Sequence, residues 1–415
     1  MLAPSLPFPP HWAAGIRRYE ILRHLSERHA VSLLTYAGPD EAHNVAALGE
    51  RGIAIYTIPP RVKNTKRKRL AQLGSIWSAT SYQSQSVYSD AMQRALTSLV
   101  QSNGFDVVII DGSSMSCFDP GSDAVVILDE HNIEYELLYR GFLTEVSLAR
   151  KLFNYSEFVK VRREERAAWV RADACVVHSD RERDILVGEV PDKPTAVVTN
   201  GVFLDDFRPS DGPVDPNAIV FTGTMNYRPN ADAVRYFVQQ VLPYIRREKP
   251  EATFYAVGLG PSAELQRLAG PGVVVTGWVA DVKPYLRSAA VYVAPVRFGS
   301  GTRIKVIEAL AMGKAMVSTT LGCEGHVGLR PDTHFLVGDD PMTFAHQVIR
   351  LLDDTKLVSQ LGHSGREFVE KGYSWPKLLD RLEEFLVDVA CRRGRGEARK
   401  VGQSSPQAEA ELSAS

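Results

Sequence analysis

Three things are scarce or missing in this chain of 415 residues, and each absence narrows its function. There is no basic excess: Lys and Arg number 48, Asp and Glu 49. Proteins that neutralise nucleic-acid phosphates carry a surplus of cations, so no nucleic-acid partner is expected. There are only four cysteines, Cys117, Cys175, Cys323 and Cys391, scattered and without a C-x-x-C pair. That argues against a disulfide framework or a structural zinc and suits a reducing compartment. No apolar run approaches the roughly 18 residues of a spanning helix. The proline-rich opening lacks the pattern of a signal peptide, so a cytoplasmic location is expected.

What is present describes a globular α/β protein. Hydrophobic residues make up 44% and charged residues 23%, ordinary values for packed domains. The length exceeds what one core usually serves, so two domains are expected. Short β-branched runs alternate with longer amphipathic segments. In the first half they include VSLLTY (31–36), FDVVIID (105–111) and AVVILD (124–129); in the second, AIVFTG (218–223), ATFYAVG (252–258) and VYVAPV (291–296). Nearly continuous apolar strands separated by helices predict parallel, doubly wound sheets covered on both faces. The strands are too many for one sheet, and polar DDFRPSDGPVDPN (205–217) lies where two would divide. The expected domains are 1–203 and 204–375, then a terminal helix 376–392 returning to the first domain and a disordered tail 393–415. Only Met1-Leu2-Ala3 precedes the turn SLPFPPHWAAG, so the first strand is expected to be very short or to need upstream residues.

The stretch RFGSGTRIKVIEAL follows the strand VYVAPV, which puts its glycines at a strand's carboxyl end, where doubly wound sheets bind ligands. A helix starting near Thr302 offers unpaired N–H groups and a partial positive charge at its tip. Gly299 and Gly301 would let an anion approach, and Arg303 and Lys305 would add formal charge. Glu308, further along, could accept hydrogen bonds from a sugar diol. Phosphate at the tip and hydroxyls beyond it describe a nucleotide. A plain loop with a Lys305–Glu308 helix pair is the competing reading. His131 follows AVVILD, again at a strand's carboxyl end, and Gly15 stands where the first helix begins; either could serve a ligand or a turn.

At GTRIKVIEALAMGKAMVSTTLGCEG the chain resembles the family 4 glycosyltransferases, whose segment reads E-x7-E-A-M-A-x-G-x-P-V-V-x-T. TNGVFLDDF, FTGTMNYRPNADAVRYF, AVGLGP and VTGWVADVKPYLRSAAVYVAPV resemble further family blocks in the expected order, as do PFPPHWAAGIRRYEILRHL and LDEHNIEYELL. The likeness covers roughly residues 4–385, with the bacterial exopolysaccharide sugar transferases among the similar members. It implies a GT-B fold, two facing Rossmann-like domains with the active site in the cleft. It implies a retaining hexosyltransferase that uses a nucleotide-diphospho-sugar donor and needs no metal or other cofactor. It also implies that His131 contacts the donor sugar, that Gly223 and Thr224 lie at the phosphates, and that Gly277, Trp278 and Val279 face the base. Two departures stand out. Ser300 occupies the position of the first glutamate, eight residues before Glu308, and Thr224 and Pro229 stand where many members carry an Arg and a Lys. Arg303 and Lys305 are then expected to neutralise the phosphates.

RVKNTKRKRL (61–70) carries six basic residues and runs toward Leu73, Ile76 and Trp77. The segment 61–77 could rest on anionic membrane and present a lipid-linked acceptor, or be a solvated loop. A glycan acceptor is equally compatible. Two other functions stay open: a sugar-nucleotide epimerase of similar fold, and a non-catalytic sugar-nucleotide binding module.

Overall fold

The computed structural model describes residues 1–10, 13–60, 72, 74–75, 77–121, 124–145, 147–209, 212–299 and 302–403. It divides into two compact units. The first comprises Met1–Val177, Arg181–Val198 and the chain from Leu379 onward; the second comprises His178–Asp180 and Thr199–Leu378.

The first unit is built on a seven-stranded sheet: β1 (Leu2–Ala3), β2 (Ser32–Tyr36), β3 (Ala54–Ile58), β4 (Val107–Asp111), β5 (Val125–Glu130), β6 (Ala174–Val177) and β7 (Thr195–Val197). Their order is β3-β2-β1-β4-β5-β6-β7, every pairing parallel. The order reverses between β1 and β4, so the loops leaving those strands open a crevice at their carboxyl ends. Both faces are covered. Leu2 and Leu34 join one apolar cluster, and their neighbours Ala3 and Leu33 join another. β1 holds two residues where β2 and β4 hold five. At its amino end lies a cavity of about 750 Å³ lined by Leu2, Leu34, Leu96, Val108, Leu386 and Val387.

The second unit repeats the plan with β8 (Asp215–Thr222), β9 (Thr253–Val257), β10 (Val273–Gly277), β11 (Ala289–Ala294), β12 (Met316–Ser318) and β13 (Leu336–Val337), in the order β10-β9-β8-β11-β12-β13. All are parallel. Ile219 and Phe221 face one core, Ala218 and Val220 the other. That alternation is why these strands read as continuous apolar runs. The sixth strand, β13, has only two residues and gives no pattern in the sequence.

Three boundaries differ from the sequence expectation. The first unit ends at Val198 rather than at 203, because the Val202 amide donates to the Tyr373 carbonyl and Gly201 packs on Trp375. Trp375 and Leu378 consequently belong with the second unit, and the terminal chain joins the first unit from Leu379 rather than from 376. There Glu383 accepts from Arg28 at 2.8 Å and contacts His24 at 2.9 Å. The terminal helix spans Trp375–Gln403, eleven residues into the segment expected to be a disordered tail. RRGRGEARK holds mostly strong helix formers, enough to continue a helix already begun. Residues 404–415 lie outside the described residues.

The loops after β8 and β9 meet backbone to backbone. A Cβ on Gly258, whose φ is +145°, would stand 2.0 Å from the Gly223 carbonyl oxygen. Gly258→Ala should therefore lower the stability of the second unit by about 1–3 kcal/mol or more. The check is the urea midpoint of its unfolding; an unshifted midpoint would show that the two loops can part without cost.

Candidate functional site

In the second unit the order of strands reverses between β8 and β11; Gly223 and Thr224 follow β8, and Arg303, Lys305 and Glu308 follow β11. After β11 the chain passes Gly299, at φ +129°, and enters the helix Ile304–Ala311, whose N-cap is Arg303. The Arg303 side chain makes no capping hydrogen bond there, and the first amides of a helix are the donors an anion can meet. Ser300 and Gly301 lie outside the described residues. Thr302 accepts at 3.3 Å from the side-chain amide of Asn200. The Arg303 amide donates to His326 Nε2 at 3.3 Å.

His326 is buried, and burial followed by the charge of Arg303 pushes its pKa down to about 3. It is neutral, with Nε2 accepting and the proton therefore on Nδ1. Among the described residues Nδ1 has no partner.

Lys305 is the most constrained cation of the group. Its ammonium donates to Asn230 Oδ1, sits 4.5 Å from the centre of the Phe221 ring, and lies where a Cβ on Gly223 would come within 2.6 Å. Burial, reinforced by Arg303, lowers its pKa to about 7, with Glu308 pulling the other way. Asn230 is fixed in turn by donating at 2.9 Å to the Thr224 carbonyl. Glu308, one turn past Lys305, is raised to about 7 by burial against the opposing effects of Lys305 and Lys283. Gly277 ends β10 at φ +71°, Val279 packs against the core, and Trp278 is 66% exposed, so its ring is not a packing residue.

The first unit assembles a different group. Register pairs Asp111 with Asp129 at the carboxyl ends of β4 and β5. Arg17, fully buried in the helix Ala13–Ser26, grips Asp129 at 2.9 and 2.7 Å and donates to the Val198 carbonyl at 2.8 Å. Arg18 pairs with Asp111 and donates to Ser5 Oγ at 3.0 Å. His131 Nε2 meets the other Asp111 oxygen at 2.7 Å. Burial alone would lower the His131 pKa, but the adjacent Asp111 carboxylate, helped by Asp129, raises it overall. Gly15 lies in the first turn of the same helix as Arg17 and Arg18.

Asp111, Asp129 and His131 are close enough to hold a cation together, as are His24, Asp380 and Glu383. The sequence spacing had assembled neither group. In the first, each carboxylate already meets a guanidinium, so a metal ion would have to displace a buried arginine. Sequence reasoning also missed Asn230 and His326. Asp111 and Asp129 had a usable signal, since each closes an apolar run at a strand's carboxyl end. Asn230 stands beside Pro229, where a cation was sought. Of the basic run's apolar companions only Trp77 is described, and it is 92% exposed; residues 61–70 lie outside the described residues.

Two parallel-sheet units, each carrying polar residues at its switch point, make this the fold of the GT-B glycosyltransferases. It superimposes on sucrose-phosphate synthase from Thermosynechococcus elongatus with a TM-score of 0.68 at 15% identity, over 94% of this chain and 98% of that one. It superimposes on Anabaena Alr3699/HepE in complex with UDP and glucose with a TM-score of 0.62 at 13% identity, over 93% and 98%. In sequence, residues 216–354 match the family described as "Glycosyl transferases group 1". The chain is 26% identical over 257 residues to the D-inositol 3-phosphate glycosyltransferase of Streptomyces bingchenggensis, 54% of each chain. It is 26% identical over 207 residues to the phosphatidyl-myo-inositol mannosyltransferase of Mycobacterium tuberculosis, 46% of this chain and 54% of that one. It thus spans about half the length of the curated relatives it matches. The chain is similar to the family 4 glycosyltransferases, as its motifs indicated.

An anion arriving at Lys305 would raise its pKa again, so binding above pH 7 should take up a proton. Pyrophosphate affinity should fall as pH rises past about 7, by up to tenfold per unit, relative to Lys305→Met. Titration calorimetry in buffers of different ionisation enthalpy reads that proton directly; identical pH profiles for the two proteins would place the anion elsewhere.

Proposed function

We propose that this protein is a retaining glycosyltransferase that transfers a hexose from a nucleotide-diphospho-sugar to a glycan or lipid-linked acceptor in surface polysaccharide or glycolipid assembly. One observation carries the reading. A half-buried lysine is held by Asn230 in the space left by Gly223, at a switch point and beside a helix tip, with Glu308 one turn beyond. Phosphates would meet Lys305, Arg303 and the helix amides, and Glu308 would accept from ribose hydroxyls. Gly299, Gly301, Thr302, Gly223 and Thr224 would line the phosphate path and Gly277, Trp278 and Val279 the base, while Gly15 and His131 remain proposed donor-binding residues. The Anabaena relative named with UDP and glucose supports such a donor.

Retention needs no strong protein base, because the departing phosphate can take the acceptor's proton. Arg303 and Lys305 would stabilise the charge that develops on that phosphate. We propose that no divalent metal takes part, since these cations and amides supply the positive charge. The relatives acting on inositol phosphate and phosphatidyl-myo-inositol point to a phosphorylated or lipid acceptor. Among the described residues no helix is long and apolar enough to cross a membrane. The proposed location is the cytoplasm, with the segment 61–77 touching an anionic membrane surface.

Arg303→Ala should weaken nucleoside diphosphate binding by roughly 1.5–3 kcal/mol, about tenfold to a hundredfold, and leave nucleoside binding almost unchanged. Glu308→Gln should weaken both alike, and Ser300→Glu should alter donor preference without unfolding the protein. Calorimetry on the three variants separates these outcomes; normal diphosphate binding by Arg303→Ala would move the phosphates away from this helix.

Donor turnover should need an acceptor and persist in excess EDTA. Turnover that EDTA abolishes and Mg²⁺ restores would overturn the metal-free reading. Isomerised donor without any acceptor would favour an epimerase, and tight donor binding with no turnover at all a binding module.

A further inference from the structure

The first unit carries an apolar surface that its own core does not use. The helix Leu148–Arg171 buries Glu157, Val161, Glu165 and Ala168 on one side. On the other it exposes Leu148, Leu152, Tyr155 and Val159, at 72, 63, 49 and 51%. Steps of four, three and four residues place these four on a single stripe. The same stripe continues through Arg162, Arg163 and Arg166, all exposed. The preceding helix Glu134–Thr144 adds exposed Tyr139 and Leu143. Ring contacts join the two helices into one face: Phe142 to Tyr155 at 5.4 Å and Tyr139 to Phe158 at 5.2 Å.

The helix Leu148–Arg171 is itself predominantly basic, although Glu189 and Glu145 lie beside it. The helix Leu148–Arg171 holds seven basic and three acidic residues, and all three acids turn inward. Glu157 and Glu165 are buried, and Glu164 accepts from Ser81 and Ser84. Among the outward cations, Arg162 pairs with Glu189 at 2.5 Å, and Arg166 reaches the same carboxylate at 3.5 Å. Arg150 has no acidic partner among the described residues, and Lys151 sits over the Phe142 ring at 5.2 Å. The segment bearing the exposed Trp77 is tied to this helix, since Lys160 donates to the Ser75 carbonyl at 2.6 Å and Arg163 to that of Ala79.

We infer that the helical hairpin of residues 134–171 is a docking surface for an anionic lipid bilayer. The stripe Leu148, Leu152, Tyr155 and Val159 enters the interface, and the surrounding Arg and Lys side chains meet the headgroups. A long apolar stripe with no outward acid and a basic margin has the chemistry of a helix lying in the membrane plane. Contiguous exposed apolar side chains rimmed by polar ones mark interaction sites on proteins. The inference deepens the membrane contact proposed for 61–77 but uses different residues, and it does not depend on the sugar-transfer reading.

The test uses the full chain with vesicles of phosphatidylcholine, with and without phosphatidylglycerol. Wild type should sediment with the anionic vesicles only, and less so in high salt as screening grows. Leu148→Ser with Leu152→Ser should weaken that binding at least tenfold while leaving the melting temperature unchanged, because both side chains are already solvated. Arg150→Ser with Lys151→Ser should reduce the preference for the anionic lipid. Wild-type binding by the leucine variant overturns the inference, as does failure of the wild type to bind at all. If changing Lys66, Arg67, Lys68 and Arg69 to Ser abolishes binding while the leucine variant binds normally, the membrane contact is the basic run and not the hairpin. If ultracentrifugation finds a wild-type dimer that the leucine variant loses, and neither binds vesicles, the face joins two copies and the inference fails.

Discussion

Lys305 sets the terms on which the second unit is built. A primary ammonium over an aromatic ring, half removed from water, needs an acceptor and needs room. Asn230 is the acceptor and the missing side chain of Gly223 is the room. Each of these is fixed by something else. Asn230 is oriented because its amide nitrogen serves the Thr224 carbonyl, which leaves its oxygen for the lysine. The backbone of Gly223 is placed by Gly258, which leaves no space for a Cβ between β8 and β9. One cation therefore dictates two glycines and an asparagine across two loops. The result is a lysine with its pKa lowered to about 7, whose charge an arriving anion would favour. Such a site is organised before its ligand binds.

The first unit treats its charges in the opposite way. Arg17 is fully buried, and its fork is matched to both oxygens of Asp129 and to the Val198 carbonyl. A buried pair of this kind adds little net stability, yet removing one partner typically costs about 3–5 kcal/mol. Its value is geometric. With Asp129 held by Arg17, and Asp111 shared between Arg18 and His131, the imidazole has a fixed nitrogen for Asp111 and a fixed direction for its ring.

How much of this could be read in the sequence depended on whether the signal was local. Most strands were legible, because burial on both faces writes an uninterrupted apolar run into each one. β13 was not, since its two residues are placed by pairing with β12 rather than by their own composition. Arg303, Lys305 and Glu308 were legible because a single loop and helix carry them all. Asn230 and His326 were not, because they reach that helix from 75 and 23 residues away. The Asp111–Asp129 group is a product of register, which places side by side two aspartates that the sequence holds apart. The terminal helix outran the expected tail because a charged sequence without an apolar stripe can still extend a helix already nucleated.

The same division of charges governs the segment that carries His131. Glu130 is buried, accepting from the Trp169 indole at 3.0 Å, and Glu165 accepts from the Glu134 and Tyr135 amides at 2.9 and 3.2 Å. Residues 130–135 are thus held at both ends by carboxyl groups from the interior. Burial, and then the proximity of other carboxylates, raises Glu130 well above its ordinary range; burial raises Glu165 to about 8. Two acids so placed cannot both ionise at neutral pH, so the pair keeps a proton. Folding then binds more protons than the unfolded chain between the ordinary glutamate pKa and about 8, and this pair contributes less stability as pH rises through that window. The first unit therefore contains two kinds of ionisable group, and the second shares one of them. The matched ones, Arg17 with Asp129 and Arg18 with Asp111, hold geometry. The desolvated ones, Lys305 and Glu308 at about 7 and Glu165 at about 8, change state near neutrality. Of these, Lys305 and Glu308 share one short helix at a switch point, and a single bound anion is enough to reset the charge on the lysine.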